Sequence, residues 1–124
     1  MISIIVPCYN ESEIIQDFLE HLHNCINNLD EKFELIIIDN GSIDDTYNKI
    51  ESFSLKKLSK KIIVLSNYFG KEAAILAGLD NSEGDACIIM DPDLEDPPEK
   101  INEMIQLWKK GYDVVLTKRS SEKI

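Results

Sequence analysis

Two carboxylates separated by a single proline, Asp91-Pro92-Asp93, directly follow the apolar run Ala86–Met90. In an extended segment, residues two apart project to the same side, and the fixed φ of Pro92 holds the backbone between them extended. Such a pair repels itself unless a cation intervenes. Hard divalent ions such as Mg²⁺ or Mn²⁺ take one or two protein carboxylates and complete their shell with diphosphate oxygens and water. Asp93 and Asp91 are therefore candidate metal ligands and the candidate catalytic pair. The competing reading is a solvated acidic turn that opens a helix. Asp96 belongs to that reading, because Asp96, Pro97 and Glu99 fall in order at N-cap, first-turn proline and capping-box positions. Glu95 suits either a third metal ligand or a charge at the helix N-terminus.

Other polar clusters also follow apolar runs. Pro7-Cys8-Tyr9-Asn10-Glu11, Asp39-Asn40-Gly41-Ser42 and Ser66-Asn67-Tyr68 all do so. The Asp39 carboxylate suits an N–H of a nucleobase or a ribose hydroxyl, and Gly41 allows a sharp turn after it. Ser42 and Asp44 read as caps of the helix that follows. Tyr9 offers a ring for a base to stack on, or for packing. Lys71, Lys118 and Arg119 are placed to reach a phosphate, or are solvated cations. His21 and His23 fall off the apolar stripe of their helix, with no carboxylate or cysteine at ligand spacing, and read as surface residues.

The elements that must position these groups are legible in the hydrophobic pattern. Five apolar runs, Ser3–Val6, Glu34–Ile38, Ile62–Leu65, Ala86–Met90 and Asp113–Leu116, are mostly continuous rather than alternating, as in strands covered on both faces. Helical spacing separates them, most clearly in Ile14, Ile15, Phe18, Leu19, Leu22, Cys25, Ile26 and Leu29. A second helix is expected from about Asp44 to Leu58, with Tyr47, Ile50 and Phe53 inward. A third is expected from Lys71 to Asp80, where Ala73, Ala74, Ala77 and Gly78 let its backbone approach the sheet. A fourth follows Asp96, with Ile101, Met104, Ile105 and Trp108 inward. Repeated strand-then-helix implies right-handed crossovers and a parallel sheet. Ligands of such a sheet bind beyond the carboxyl ends of its strands.

Bulk composition narrows the function classes. A chain of 124 residues fits one domain. With 13 basic against 23 acidic residues the formal charge is −10, which opposes binding to nucleic acid or an anionic membrane surface. A phosphate ligand would need a metal ion or local N–H groups to overturn that field. Cys8, Cys25 and Cys87 are odd in number and lack a CxxC pair, so they suggest neither a disulfide framework nor a zinc site. They read as small apolar residues in a reducing cytoplasm. No signal-peptide pattern opens the sequence, and no apolar run approaches the roughly 20 residues of a membrane span.

Ile4-Ile5-Val6-Pro7-Cys8-Tyr9-Asn10-Glu11, Ile38-Asp39-Asn40-Gly41-Ser42-Ile43-Asp44-Asp45-Thr46 and Met90-Asp91-Pro92-Asp93-Leu94-Glu95-Asp96-Pro97-Pro98-Glu99, in this order and spacing, resemble glycosyltransferase family 2. Phe69-Gly70-Lys71-Glu72-Ala73-Ala74 and the DxDL-x-DPPE pattern are similar to its polyprenyl-phosphate sugar transferases. The resemblance spans essentially the whole chain. It implies a GT-A fold, a Rossmann-like three-layer αβα sandwich with a mainly parallel sheet, ending here after about five strands. It also implies an inverting transfer from a UDP- or GDP-linked sugar with Mg²⁺ or Mn²⁺, a lipid phosphate as acceptor, and work at the cytoplasmic face of the membrane in a longer form. By position, Pro7, Tyr9 and Glu11 would line the nucleoside pocket, Asp39 would contact the base, Asp91 the sugar or ribose, and Asp93 the metal, with Glu95 assisting.

Three positions depart from the relatives. Glu95 stands where they usually carry Gln, Asn67-Tyr68 precedes Phe69-Gly70 where they read Arg-Asn, and Asn40 replaces a common Asp. The relatives also continue with acceptor-side segments, so residues 1–124 are expected to be the nucleotide-sugar-binding part, binding donor weakly and transferring little alone. The rival readings are a non-catalytic nucleotide-sugar-binding fragment, a phosphorelay receiver and a DxD phosphatase. The receiver needs an acidic pair after the first strand, where Pro7-Cys8-Tyr9 stands. The phosphatase carries its pair after the first strand rather than the fourth.

Overall fold

The computed structural model describes residues 1–55, 58–93 and 97–111. Four parallel strands, β1 (Ile2–Cys8), β2 (Phe33–Asp39), β3 (Ser59–Val64) and β4 (Ala86–Ile89), form one sheet in the order β3-β2-β1-β4. The helices are α1 (Ile15–Ile26), α2 (Thr46–Ser52), α3 (Lys71–Asp80) and α4 (Ile101–Lys109), the last preceded by a 3₁₀ turn over Pro98–Lys100. The expected fifth strand (Asp113–Leu116), Glu95, Asp96, Lys118, Arg119 and the tail Ser120–Ile124 lie outside the described residues.

The two central strands are buried along their whole length. Their side chains alternate between two cores. Ile2, Ile4, Val6 and Cys8 of β1 and Phe33, Leu35 and Ile37 of β2 face α1, Ile50 of α2, and Ile101 and Ile105 of α4. Ile5, Ile36 and Ile38 face Ala74 of α3. The result is three layers, αβα. On α1, Ile15, Phe18, Leu19, Leu22 and Ile26 are buried, which is the stripe expected of an amphipathic helix. The α3 helix approaches closely, as its small residues suggested. A Cβ added to Gly78 would stand 2.5 Å from Ile5 Cγ2 and 2.9 Å from Ile38 Cδ1.

Several sequence expectations need correction. β3 and β4 are only partly buried, since in the described residues each has one strand neighbour, so their apolar runs overstate their burial. The second helix is seven residues long. It stops at Ser52 because Phe53 turns extended and the Lys60 ammonium of β3 takes up the carbonyls of Ile50, Glu51 and Phe53 at 2.9, 3.1 and 2.7 Å. A cation at a helix C-terminus satisfies orphan carbonyls and complements the dipole. In so short a helix the buried positions are Thr46 and Ile50, four apart, and Tyr47 lies off that line at 40% exposure. Pro97 is extended, so the first helical proline is Pro98. The Glu99 carboxylate meets His21, while Asp96, the expected N-cap, lies outside the described residues. Ser42 caps nothing, because its hydroxyl accepts the Asn10 N–H, whereas Asp44 does accept the Thr46 N–H at 3.0 Å. Of the cysteines, Cys8 is buried, Cys25 half-buried and Cys87 exposed.

Candidate functional site

The chain runs β1, β2, β3 outward on one side and then crosses to β4 on the other side of β1. Connections therefore diverge at the carboxyl ends of β1 and β4, and a crevice opens at such a switch point. A cleft of ≈ 290 Å³ lies there, lined by Pro7, Cys8, Tyr9, Glu11, Asn40, Tyr68, Lys71, Asp91 and Asp93.

The loop after β1 is strapped to the loop after β2. Asn10 N–H donates to Ser42 Oγ at 2.9 Å while Asn10 Oδ1 accepts the Ile43 N–H at 3.0 Å. Asn10 takes the left-handed conformation (φ 52°), which asparagine tolerates better than most residues. Glu11 N–H donates to Thr46 Oγ1 at 2.9 Å, Ser12 N–H to Asp44 Oδ2 at 3.2 Å, and the Lys49 ammonium to Ser12 O at 2.8 Å. Burial alone would raise the Asp44 carboxyl, but hydrogen bonds from Thr46 and Ser12 outweigh it and hold Asp44 below its ordinary range.

The loop after β3 is fixed from β2. Buried Asn40 uses both halves of its amide: Oδ1 accepts the Phe69 N–H at 3.1 Å and Nδ2 donates to Gly70 O at 2.9 Å. These partners fix which way the amide points. An aspartate there could only accept. Gly41 makes the same contact possible, with φ 76° and a virtual Cβ 2.3 Å from the Asn67 carbonyl carbon. Gly70 caps the start of α3, so Asn40 sets where the helix begins with Lys71.

Tyr9, Glu11, Pro7, Lys71, Asp91 and Asp93 are thus brought together. Asp39 is not among the lining side chains. It is 3% exposed, and its Oδ1 accepts the Ser42 N–H of the turn at 3.1 Å. Pro92 and Asp93 sit in a turn rather than an extended segment, so the expectation of an extended Asp-Pro-Asp is corrected, yet both carboxylates still face the cleft. Lys71 forms an ion pair with Asp91. Sequence reasoning missed three lining residues as contributors. They are Cys8, Asn40 and Tyr68, whose ring centroid lies 4.3 Å from that of Tyr9. The signal for Tyr68 was its place in a polar strand end; its pairing with Tyr9 was not visible.

The field in the cleft is negative. Glu11 is raised above its ordinary value by burial, then by the charges of Asp93, Asp91 and Asp44. Burial and the charges of Glu11, Asp39 and Asp91 push the Cys8 thiol well up, so it is not a nucleophile. Carboxylate oxygens gathered in a partly open cleft are the donor set a hard divalent cation requires. Among the described residues, Asp93, Asp91 and Glu11 are the carboxylates that line the cleft, and their oxygen chemistry fits Mg²⁺ or Mn²⁺.

A model of glycosyl transferase family 2 matches residues 3–123. The chain belongs to that family. An uncharacterized glycosyltransferase of Bacillus subtilis is 40% identical over 121 residues, covering 98% of this chain and 38% of the relative. The undecaprenyl-phosphate 4-deoxy-4-formamido-L-arabinose transferase of Pseudomonas syringae is 36% identical over 121 residues, covering 97% of this chain and 36% of the relative. The chain thus spans under two fifths of the length of these relatives. Among solved structures, the mannosyltransferase PcManGT of Pyrobaculum calidifontis, in complex with GDP-Man and Mn²⁺, superposes with a TM-score of 0.75 at 22% identity, over 85% of this chain and 31% of that one. The fold is the GT-A fold of these glycosyltransferases. No helix among the described residues is long and apolar enough to cross a membrane.

Proposed function

We propose that this family 2 chain binds a nucleotide-diphosphate sugar in the switch-point cleft, and that the whole protein transfers the sugar, with inversion, to a polyprenyl phosphate. The observation that carries the reading is the convergence of an aromatic pair, a lysine and three carboxylates from three loops on one cleft. Tyr9 and Tyr68 offer the base an aromatic wall, and Pro7 closes the floor beside them. Asp39 shapes this end by holding the turn at Gly41–Ser42. Lys71, at the first residue of α3, approaches the diphosphate when it leaves Asp91. Asp93 and Asp91 hold the divalent cation, with Glu95 a third candidate, and when bound the ion supplies positive charge to the departing diphosphate.

The name of the Pseudomonas relative supports a lipid phosphate acceptor. Such an acceptor is anionic near neutral pH and attacks the anomeric carbon without a general base. A lipid phosphate acceptor would put the work of the full-length protein at the cytoplasmic face of the membrane. Because the chain spans under two fifths of the length of these relatives, the transfer is proposed for the whole protein.

The test is calorimetric titration with UDP- and GDP-linked sugars in the presence and absence of Mn²⁺. Binding that requires the cation and fails in Asp93→Ala is expected. Binding that ignores both the cation and the substitution would overturn the proposal.

A further inference from the structure

We propose that His21, Cys25 and Glu99 form a second cation site, separate from the cleft, that takes a borderline transition-metal ion such as Zn²⁺. The sequence reading dismissed the histidines for want of a cysteine at ligand spacing, but Cys25 follows His21 by four residues. Both lie on α1, where i and i+4 share a face. Glu99 reaches the same face from the 3₁₀ turn before α4, and its carboxylate is paired with His21 Nε2. One ligand atom from each of the three lies within 4.8 Å of the others. Tetrahedral zinc at its usual bond lengths sets ligand atoms about 3.3–3.8 Å apart, so small side-chain rotations close the site.

The donor set decides the metal. Imidazole and thiolate favour zinc, whereas Mg²⁺ and Mn²⁺ prefer oxygen alone. The cleft offers carboxylates and this site offers nitrogen, sulfur and one carboxylate, so the two sites sort ions by chemistry. Three protein ligands leave a fourth position for water, and the half-exposed His21 and Glu99 side chains give the ion a path in. Binding forms the sulfur–metal bond as the Cys25 Sγ–H proton leaves to solvent. The ion would tie α1 to the segment that enters α4, six residues after Asp93 in the chain. That position makes it a clamp between α1 and the entry to α4 rather than a participant in transfer.

The probes are Zn²⁺, by calorimetry, and Co²⁺, by absorption, added to the protein and to His21→Ala, Cys25→Ser, Glu99→Gln and Asp93→Ala. One equivalent of Zn²⁺ is expected, together with a thiolate-to-cobalt charge-transfer band that Cys25→Ser abolishes. His21→Ala and Glu99→Gln should each weaken zinc at least roughly tenfold. Asp93→Ala should leave band and affinity unchanged. Zinc affinity that survives Cys25→Ser, a missing band, or a site lost only in Asp93→Ala would overturn the proposal. All three ligands are at least partly exposed, and metal-free thermal unfolding like that of the unsubstituted protein keeps a folding defect from counting as support.

Discussion

Two carboxylates at opposite ends of the sheet have opposite surroundings. Glu34, near the start of β2, is 1% exposed. Burial alone would raise it, but the Ser3 hydroxyl (2.5 Å), the Glu83 N–H (2.6 Å) and the Lys61 ammonium (3.1 Å) outweigh that and hold it below its ordinary value. Its partner Ser3 also accepts the Gly84 N–H at 2.9 Å. Glu11, beyond the end of β1, is less buried, yet it is raised, because after burial its next influences are the carboxylates Asp93, Asp91 and Asp44. Donors from β1, β3 and the turn before β4 complete the first site within the protein. The second collects negative charge in an open cleft, where the proposed cation would answer it. A compensated buried acid is structural; acids gathered in an open cleft mark a place for a cation.

The largest effect that would break this contrast is at Glu34. Replacing it by Ala should cost about 3 kcal/mol in urea unfolding, because the buried donors of Ser3 and Glu83 lose their acceptor and Lys61 its counter-ion. A loss under about 1 kcal/mol would mean that the amino end is not built around this acid. Gly41→Ala comes next, at about 2 kcal/mol, since it combines a left-handed backbone with a Cβ against the Asn67–Tyr68 backbone. Titration should also show weakened donor binding in that variant. Asp93→Ala should weaken Mn²⁺-dependent donor affinity by at least roughly tenfold, about 1.4 kcal/mol, while changing unfolding far less than Glu34→Ala.

The smallest effect sharpens the comparison by its sign. Glu11→Gln removes one of the mutually repelling charges and should be neutral or stabilising by up to about 0.5 kcal/mol in metal-free protein. The pH dependence follows the same opposition. Glu34, depressed on folding, contributes stability that is present above its unfolded pKa and lost as pH falls through its lower folded value. Glu11, raised on folding, contributes stability that is present below its unfolded pKa and lost as pH rises through its higher folded value. Stabilisation by Mn²⁺, read as a shift in Tm, should therefore grow as pH rises through that value, and Glu11→Gln should flatten the growth.

Much of the fold was legible because it rests on local pattern. Continuous Ile and Val runs marked β1 and β2, and the spacing of Ile15, Phe18, Leu19 and Leu22 marked α1. The small residues of α3 announced the close approach of Gly78 to Ile5. Element ends were less legible, as α2 shows: it stops where Lys60, eight residues beyond Ser52, captures its carbonyls. Lys71, Asp91 and Asp93 were legible as lining residues of the cleft because strand ends are where a parallel sheet exposes polar groups. Asp39 was expected to contact the base; in the structure its Oδ1 accepts the Ser42 N–H of the turn, since a carboxylate at a strand end meets backbone N–H groups as readily as a ligand.

Sequence by itself thus determined the alternation of strands and helices, the edge of the sheet where polar residues gather, and the family. Tertiary structure alone decided which charges are answered. Glu34 lay inside an apolar run and passed unnoticed, and His21, Cys25 and Glu99 read separately as a surface residue, part of an apolar stripe and a capping-box acid. Hydrophobic periodicity is a local property, readable within a window of a dozen residues. Charge compensation and ligand geometry depend on groups that crossovers bring together from across the chain, as Glu34 meets Glu83 and His21 meets Glu99.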